Sequence, residues 1–376
     1  MKIGIDGRMY GPKQGGLGRY IEQLIKHLEK IDHSNEYVIF LRKENWDQYT
    51  PVNSKFKKVL ADIPWYGFKE QIFLPKIIKK QKLDLMHFPH WNVPLLYNQK
   101  FVVTIHDLLL LHYPSRQAST LTPLLYWFKN KIFRLVLRHA AKKAKNIITI
   151  SQFSRQDISK TLKIPIDGIV TIYLAPLKKI KNTTSIDLSK YGVTKPYWLY
   201  VGVAYPHKNL ETLVTAWEIF SAKKDEATQL VLIGKKNYFY QELQKIIKEK
   251  NIKNVVLTDF VPDSELCEFY RQAKLYVFPS LYEGFGLPPL EAMQYDLPVI
   301  SSDRTCLPEI LGSAALYFDP TSNTEIAQTA QLVLTNKNIQ AELIKNGQKL
   351  LKKYSWETTA SETLSVYQKT SKKVDN

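Results

Sequence analysis

Two cysteines, Cys267 and Cys306, are all that 376 residues contain. They are too few for a disulfide framework and read as free buried thiols of a reducing compartment. No apolar run reaches the roughly 18 residues that a membrane-spanning helix needs. The opening residues, Met1-Lys2-Ile3-Gly4-Ile5-Asp6, meet an acid and glycines too soon to read as a secretory signal. No Asp-x-Asp occurs, no Cys/His cluster has zinc spacing, and no Gly-Lys-[Ser/Thr] closes a phosphate loop. Nothing repeats at a period of roughly 20–50 residues, which excludes solenoids and propellers.

What is present is an ordinary globular composition with unevenly placed charge. Hydrophobic residues make up 44% and aromatics 12% of the chain, enough for packed cores. The length suits two domains at roughly 100–200 residues each. The net charge is +18. Residues 1–180 carry 30 Lys and Arg against 13 Asp and Glu, whereas residues 181–376 carry 23 against 22. The basic half is expected to meet something anionic: nucleic acid, acidic lipid or a phosphorylated acceptor. The plainer alternative is a Lys-rich surface that only keeps the protein dissolved.

Short apolar runs alternate with helical patterns, the mark of an α/β chain with parallel sheets. Strands are expected at Lys2–Asp6, Tyr37–Leu41, Leu83–Phe88, Phe101–His106 and Asn146–Ile150, with helices at Leu17–Lys30, Leu121–Ala144 and Ser154–Leu162. A second series follows a polar stretch, Pro176–Pro196: strands at Tyr197–Gly202, Gln229–Ile233, Val255–Thr258, Leu275–Phe278, Pro298–Ser301 and Ala315–Phe318. Its helices are expected at Asn209–Lys223, Tyr238–Lys250, Asp263–Gln272 and Glu291–Tyr295, and two or three more run from Asn323 to about Thr370. The expected layout is two tandem Rossmann-like, doubly wound domains. The first spans 1–176, a linker spans 177–196, the second domain spans 197–355, and a final helix, 356–376, packs back toward the first domain. Such sheets bind ligands at the carboxyl ends of their strands.

Several strand-to-helix turns carry chemistry. Gly15-Gly16-Leu17-Gly18-Arg19-Tyr20 precedes a helix, where bare backbone N–H groups suit an anion; a plain turn and a dinucleotide site are the alternatives, and the second lacks its third glycine. His106-Asp107 ends the Phe101 strand at a ligand-facing edge. His87 and His90 are weaker versions of the same case. Ser151 and Ser154 open a helix, and capping accounts for them. Lys208, in Tyr205-Pro206-His207-Lys208-Asn209, opposes the dipole of the helix it precedes and makes sense if an anion lies between them. Ser280-Leu281-Tyr282-Glu283-Gly284-Phe285-Gly286-Leu287-Pro288-Pro289-Leu290-Glu291-Ala292-Met293 runs from a strand through a glycine loop to a Pro-marked helix start. Glu283 and Glu291 flank this loop, and carboxylates accept well from the hydroxyls of sugars and ribose.

Glu283-x7-Glu291 in its Glu-Gly-Phe-Gly-Leu-Pro-Pro-Leu-Glu-Ala-Met setting resembles the signature of the GT4-type glycosyltransferases, retaining enzymes of the GT-B fold. Gly15-Gly16-Leu17-Gly18, His106-Asp107, Ile150-Ser151-Gln152-Phe153-Ser154, the Pro-His-Lys-Asn loop, Leu307-Pro308-Glu309 and Tyr354-Ser355-Trp356-Glu357 extend the likeness over nearly the whole chain. The resemblance implies a GT-B fold with an interdomain cleft, and transfer of a hexose from a nucleotide-diphosphate sugar. It implies that Lys208 holds the donor diphosphate, Glu291 the ribose, and Glu283 with Gly284 and the amides of Phe285, Gly286 and Leu287 the transferred sugar. By the same resemblance His106 lies against the sugar hydroxyls, and Gly15 and Gly16 approach the diphosphate. Asp107, Ser151 and His207 are candidate substrate contacts. Many members carry an Arg near the lysine; Val203 and His207 stand there in this chain, which leaves more of the phosphate charge to Lys208.

The loop variant looks most like mannosyl- or rhamnosyltransferases of surface polysaccharides such as lipopolysaccharide, a pointer toward GDP-mannose. No metal and no cofactor beyond the donor is expected, because a lysine and helix N-termini can stabilise the departing diphosphate. On helix Leu121–Lys145, Lys131, Arg134, Arg138, Lys142 and Lys145 form a cationic stripe at three- and four-residue steps, with Leu124, Leu125, Phe128, Ile132, Leu135 and Val136 largely away from it. That helix suits anionic lipid or a lipid-linked acceptor, or is a solvated face over an ordinary buried stripe. The expected location is cytoplasmic and peripheral at the inner face of the cell membrane, with a glycan or lipid-linked acceptor and no nucleic acid as partner. The alternatives are a basic nucleic-acid-binding protein, and an epimerase or phosphorylase on the same fold.

Overall fold

The computed structural model describes residues 1–114, 122–180, 186–222 and 228–372. The expected helix start at Leu121, the helix end at Lys223, the polar stretch 181–185 and the last residues, 373–376, lie outside them. The chain forms two units.

The first unit is a seven-stranded parallel sheet in the order β3–β2–β1–β4–β5–β6–β7. Its strands are β1 (Lys2–Asp6), β2 (Glu36–Leu41), β3 (Phe56–Leu60), β4 (Leu85–Phe88), β5 (Phe101–Thr104), β6 (Asn146–Thr149) and β7 (Ile169–Thr171). Helices α1 (Gly15–Ile31), α2 (Phe68–Lys79), α3 (Leu109–His112), α4 (Pro123–Lys143) and α5 (Gln152–Leu162) connect them. The central strands are mostly apolar because helices cover both faces: β4, β5 and most of β2 are fully buried, the polar His87 and Thr104 included. The edge strands β3 and β7 escaped the sequence reading, since Phe56-Lys57-Lys58-Val59-Leu60 has only one covered face and β7 has three residues.

The second unit is a six-stranded parallel sheet in the order β10–β9–β8–β11–β12–β13. Its strands are β8 (Tyr197–Val201), β9 (Gln229–Ile233), β10 (Val255–Thr258), β11 (Leu275–Phe278), β12 (Val299–Ser302) and β13 (Leu316–Phe318). They alternate with α6 (Leu210–Ser221), α7 (Tyr238–Glu249), α8 (Asp263–Gln272), α9 (Leu287–Met293) and α10 (Leu307–Leu311), and α11 (Asn323–Thr335) and α12 (Lys337–Leu351) follow. Residues 186–196, expected in a linker, are packed parts of this unit. Asp187 caps a short turn over Leu188–Tyr191, and Leu188 and Val193 are buried.

The last helix, α13 (Trp356–Lys372), belongs to the first unit. Thr359 Oγ1 donates to the Tyr173 carbonyl at 2.7 Å, the Tyr367 hydroxyl meets His87 Nδ1 at 2.6 Å, and Thr370 Oγ1 donates to Asn146 Oδ1 at 2.9 Å. In both sheets the order reverses beside the first strand, between β1 and β4 and between β8 and β11. Loops leaving those strands diverge there and open the crevice where such sheets take ligands.

Candidate active site

In the second unit the reversal point brings together Lys208, after β8, and Glu283, after β11. They are 75 positions apart in sequence, yet Lys208 Nζ lies 2.5 Å from Glu283 Oε1. Local bonds fix both loops. Asn209 adopts the left-handed region at φ 61° between the turn Pro206–Lys208 and α6, and its amide donates to the carbonyls of Pro279 (3.2 Å) and Pro320 (2.7 Å). The Leu281 N–H donates to the His207 carbonyl at 2.7 Å, tying the two loops directly. The Glu283 N–H donates to Thr305 Oγ1 at 3.2 Å, and Cys306 Sγ donates to the Glu283 carbonyl at 3.2 Å. The ion pair is only 17% and 12% exposed, so little solvent screens it. Burial, reinforced by the Lys208 charge, holds the His207 imidazole down at about 4, so that it is neutral at pH 7.

The loop continues into α9 through Gly286, whose φ of 91° suits only glycine; a Cβ there would also stand 2.8 Å from Leu307 Cδ2. Glu291 lies on α9, where its Oε2 accepts from the Tyr270 hydroxyl at 3.2 Å. Phe285 is buried with its ring edge-on to Tyr354, 5.6 Å between centroids. The side chain of Phe285 is thus part of the packing.

In the first unit His106 follows β5. Its Nε2 lies 3.0 Å from the Pro89 carbonyl, which can only accept. Nε2 therefore carries the proton and Nδ1 keeps a lone pair. Burial pushes this imidazole down to about 4, so it is neutral at pH 7. The Tyr20 ring meets it edge to face at 4.8 Å. Of the glycines before α1, Gly18 has a packing reason, since a Cβ there would strike the Gly11 carbonyl at 2.0 Å. Gly15 and Gly16 face open space, with nothing within 4 Å of a built Cβ.

Two family models match the chain in succession: Glycosyltransferase Family 4 over residues 14–175, and Glycosyl transferases group 1 over residues 186–350. The chain belongs to the GT4-type glycosyltransferases. It is 27% identical to the O-antigen chain mannosyltransferase B of Escherichia coli, over 94% of this chain and 95% of that one. It is 29% identical to the O-antigen chain mannosyltransferase RfbU of Salmonella typhimurium, over 69% and 68%. Among solved structures, a sucrose-phosphate synthase from Thermosynechococcus elongatus is similar over 98% of both chains at a TM-score of 0.76 and 20% identity. WaaG, a glycosyltransferase of lipopolysaccharide biosynthesis, is similar over 97% of this chain and 99% of its own at 0.72 and 15%. These likenesses show the fold, GT-B.

The remaining expected residues of this glycosyltransferase divide into three groups. Ser151 is corrected: its side chain is fully buried, its Oγ accepts from the Ser154 N–H at 3.1 Å and donates to Ser154 Oγ at 3.0 Å. It caps α5 and presents nothing to a substrate. Asp107 accepts from the Leu109 N–H at 2.9 Å and so shapes the first turn of α3. Lys131, Arg134, Arg138 and Lys142 lie exposed on α4, with Lys145 exposed just beyond it.

The sequence reading passed over one cluster. Arg8, only 2% exposed, is ion-paired to Asp6 (2.7 Å) and Glu70 (2.6 Å), and Asn92 Nδ2 donates to Glu70 Oε1 at 2.7 Å. Asp6, Arg8, Met9, Pro89, His90 and Asn92 line a small cavity at the reversal point of the first sheet. The only local signal was Asp6-Gly7-Arg8 at the end of β1; Glu70 and Asn92 lie on other elements and carried none. Among the described residues no group of three or more His, Cys, Asp and Glu side chains gathers as a metal ion would need.

Proposed function

We propose that this glycosyltransferase is a retaining, metal-independent hexosyltransferase that moves mannose from GDP-mannose to a glycan or lipid-linked acceptor in surface-polysaccharide synthesis. The observation that carries the reading is the nearly buried Lys208–Glu283 pair. Without ligand the two charges neutralise each other. A diphosphate beside Lys208 takes over as its counter-ion and leaves the Glu283 oxygens to accept hydroxyls of the transferred sugar. As the anomeric C–O bond breaks, its electron pair leaves on the diphosphate, and the ammonium stabilises that charge in a site with little water to screen it. Glu291 holds the ribose, and the amides of Phe285, Gly286 and Leu287 turn toward the sugar. In the first unit, His106 accepts a sugar hydroxyl at Nδ1, and Gly16 turns its amide to the phosphates; the Gly15 N–H, expected to share that role, instead donates to the Pro12 carbonyl. The names of the mannosyltransferase relatives support mannose as the sugar, and the basic first half supports a peripheral place at the inner face of the cell membrane.

Thermal unfolding with a panel of nucleotide sugars tests the donor: GDP-mannose raises the midpoint, because a ligand that binds only the folded state stabilises it. Anomeric analysis of the product tests retention. Activity that vanishes with chelator and returns with manganese refutes metal independence, and stabilisation by UDP-sugars alone refutes the choice of donor.

A further inference from the structure

Helix α4 presents three faces rather than two. Val136, Leu137, Ala140 and Ala141 are buried in the core of the first unit. Opposite them, Leu125 (54% exposed), Phe128 (51%), Ile132 (58%) and Leu135 (56%) stand in solvent at i, i+3, i+7 and i+10. That spacing lines them along one side of the helix. These side chains, expected from the sequence to lie away from the cations, are thus not the buried stripe. Beside them run Lys131, Arg134, Arg138 and Lys142, at i, i+3, i+7 and i+11, and the Lys131 ammonium lies 3.7 Å from the centre of the exposed Trp127 ring. Six Lys and Arg and no Asp or Glu occur in α4. Soluble proteins rarely leave so many adjacent large apolar side chains uncovered without a partner.

We propose that α4 docks on the surface of an anionic lipid bilayer. Its apolar row would enter the boundary between headgroups and acyl chains while its cationic row stays among the headgroups. The inference deepens the membrane location given above and rests on it, but not on which sugar is transferred. Charge chooses this occupant. A second copy of the same face would bring four cations against four, and nucleic acid has no apolar surface to cover the Leu and Ile side chains. A helix whose outward side is half apolar and half cationic matches an interface that is itself apolar below and anionic above, typically entered to a depth of about 5–10 Å. Trp127 suits the boundary, having an apolar body and a polar N–H. The inner side of α4 meets the core instead: Phe133 packs on the buried Trp91 at 4.7 Å, and Trp91 stacks on the half-exposed Tyr66 at 5.3 Å. Next along the chain are Phe68, 83% exposed, and Phe73, 49% exposed with Lys76 at 5.9 Å from its ring.

The test is co-sedimentation of the full chain with vesicles of phosphatidylglycerol and phosphatidylcholine in equal parts, against phosphatidylcholine alone. The protein is expected to bind the anionic vesicles, and K131Q/R138Q to lose about 25-fold in partitioning at roughly fivefold per cation. F128S/I132S is expected to lose more than about tenfold while keeping its thermal midpoint, since the side chains removed are outside the core. Absence of wild-type binding, or equal binding by F128S/I132S, overturns the proposal. So does a concentration-dependent dimer that F128S/I132S abolishes in the absence of vesicle binding. Vesicle binding by protein that GDP-mannose fails to stabilise upholds the inference and tells against the donor alone.

Discussion

Gly16→Ala separates a glycine kept for folding from one kept for a ligand. Gly16 is the second residue of α1, its backbone does not have a positive φ, and a built Cβ meets nothing within 4 Å. Alanine is the better helix former, and it also narrows the unfolded ensemble, so the substitution should stabilise the first unit by about 0.5–1 kcal/mol. At the usual entropy of unfolding for a unit of this size, its midpoint should rise by roughly 1–4 °C. If the Gly16 amide meets the donor diphosphate, the added methyl holds the phosphate oxygens away. One charged hydrogen bond lost is worth about 1.5–3 kcal/mol, which is a fall of roughly 10- to 150-fold in kcat/KM for the donor. The assay pairs thermal unfolding with initial rates at varied nucleotide sugar. A variant that is more stable and equally active refutes the role of Gly16; a less stable variant refutes the reading of open space at that position.

Removing Lys208 strands the Glu283 carboxylate, so K208M should cost the second unit about 3 kcal/mol and abolish transfer. K208M/E283L should recover most of the stability but none of the activity, as denaturant unfolding and a transfer assay would reveal. E291A should remove transfer and leave the fold intact, losing one hydrogen bond from Tyr270 at a cost of about 1–3 kcal/mol; near-normal turnover would refute its contact with the ribose. Burial holds His87 and His90 at about 3 and His106 at about 4, while the unfolded chain takes up these protons near 6.5. The first unit should therefore lose stability as pH falls from 6.5 toward 4, and H87N should flatten that slope in unfolding curves taken across the window. Truncation after Tyr354 removes α13 and with it the partners of His87, Tyr173 and Asn146. The first unit should then unfold at markedly lower denaturant than the second; an unchanged transition would refute the structural role of the helix.

Near-continuous apolar runs such as Gln229–Ile233 and Leu275–Phe278 announce central strands because a strand covered on both faces cannot alternate. Their order with the helices between them makes two parallel sheets the economical solution. Lys208, Glu283 and Glu291 stand out as candidates in the sequence because of their settings: a cation at a helix start, and carboxylates flanking a glycine loop. Edge strand β3 and helix α2 were not legible, for Lys57 and Lys58 interrupt the first and Pro75 the second. Nor did the sequence reveal the buried Asp6–Arg8–Glu70–Asn92 network, whose members lie on three separate segments.

Residue order alone thus decided the α/β class and the strands that form each sheet's centre, and it singled out the loops where chemistry is expected, since those follow from short-range periodicity and turn preference. Tertiary structure decided that Lys208 and Glu283 form one ion pair, that α13 packs into the first unit, and that the outward rows of α4 are both apolar and cationic. Each of these depends on which segments become neighbours once the sheets close, a choice made by burial summed over the whole unit that no window of sequence contains.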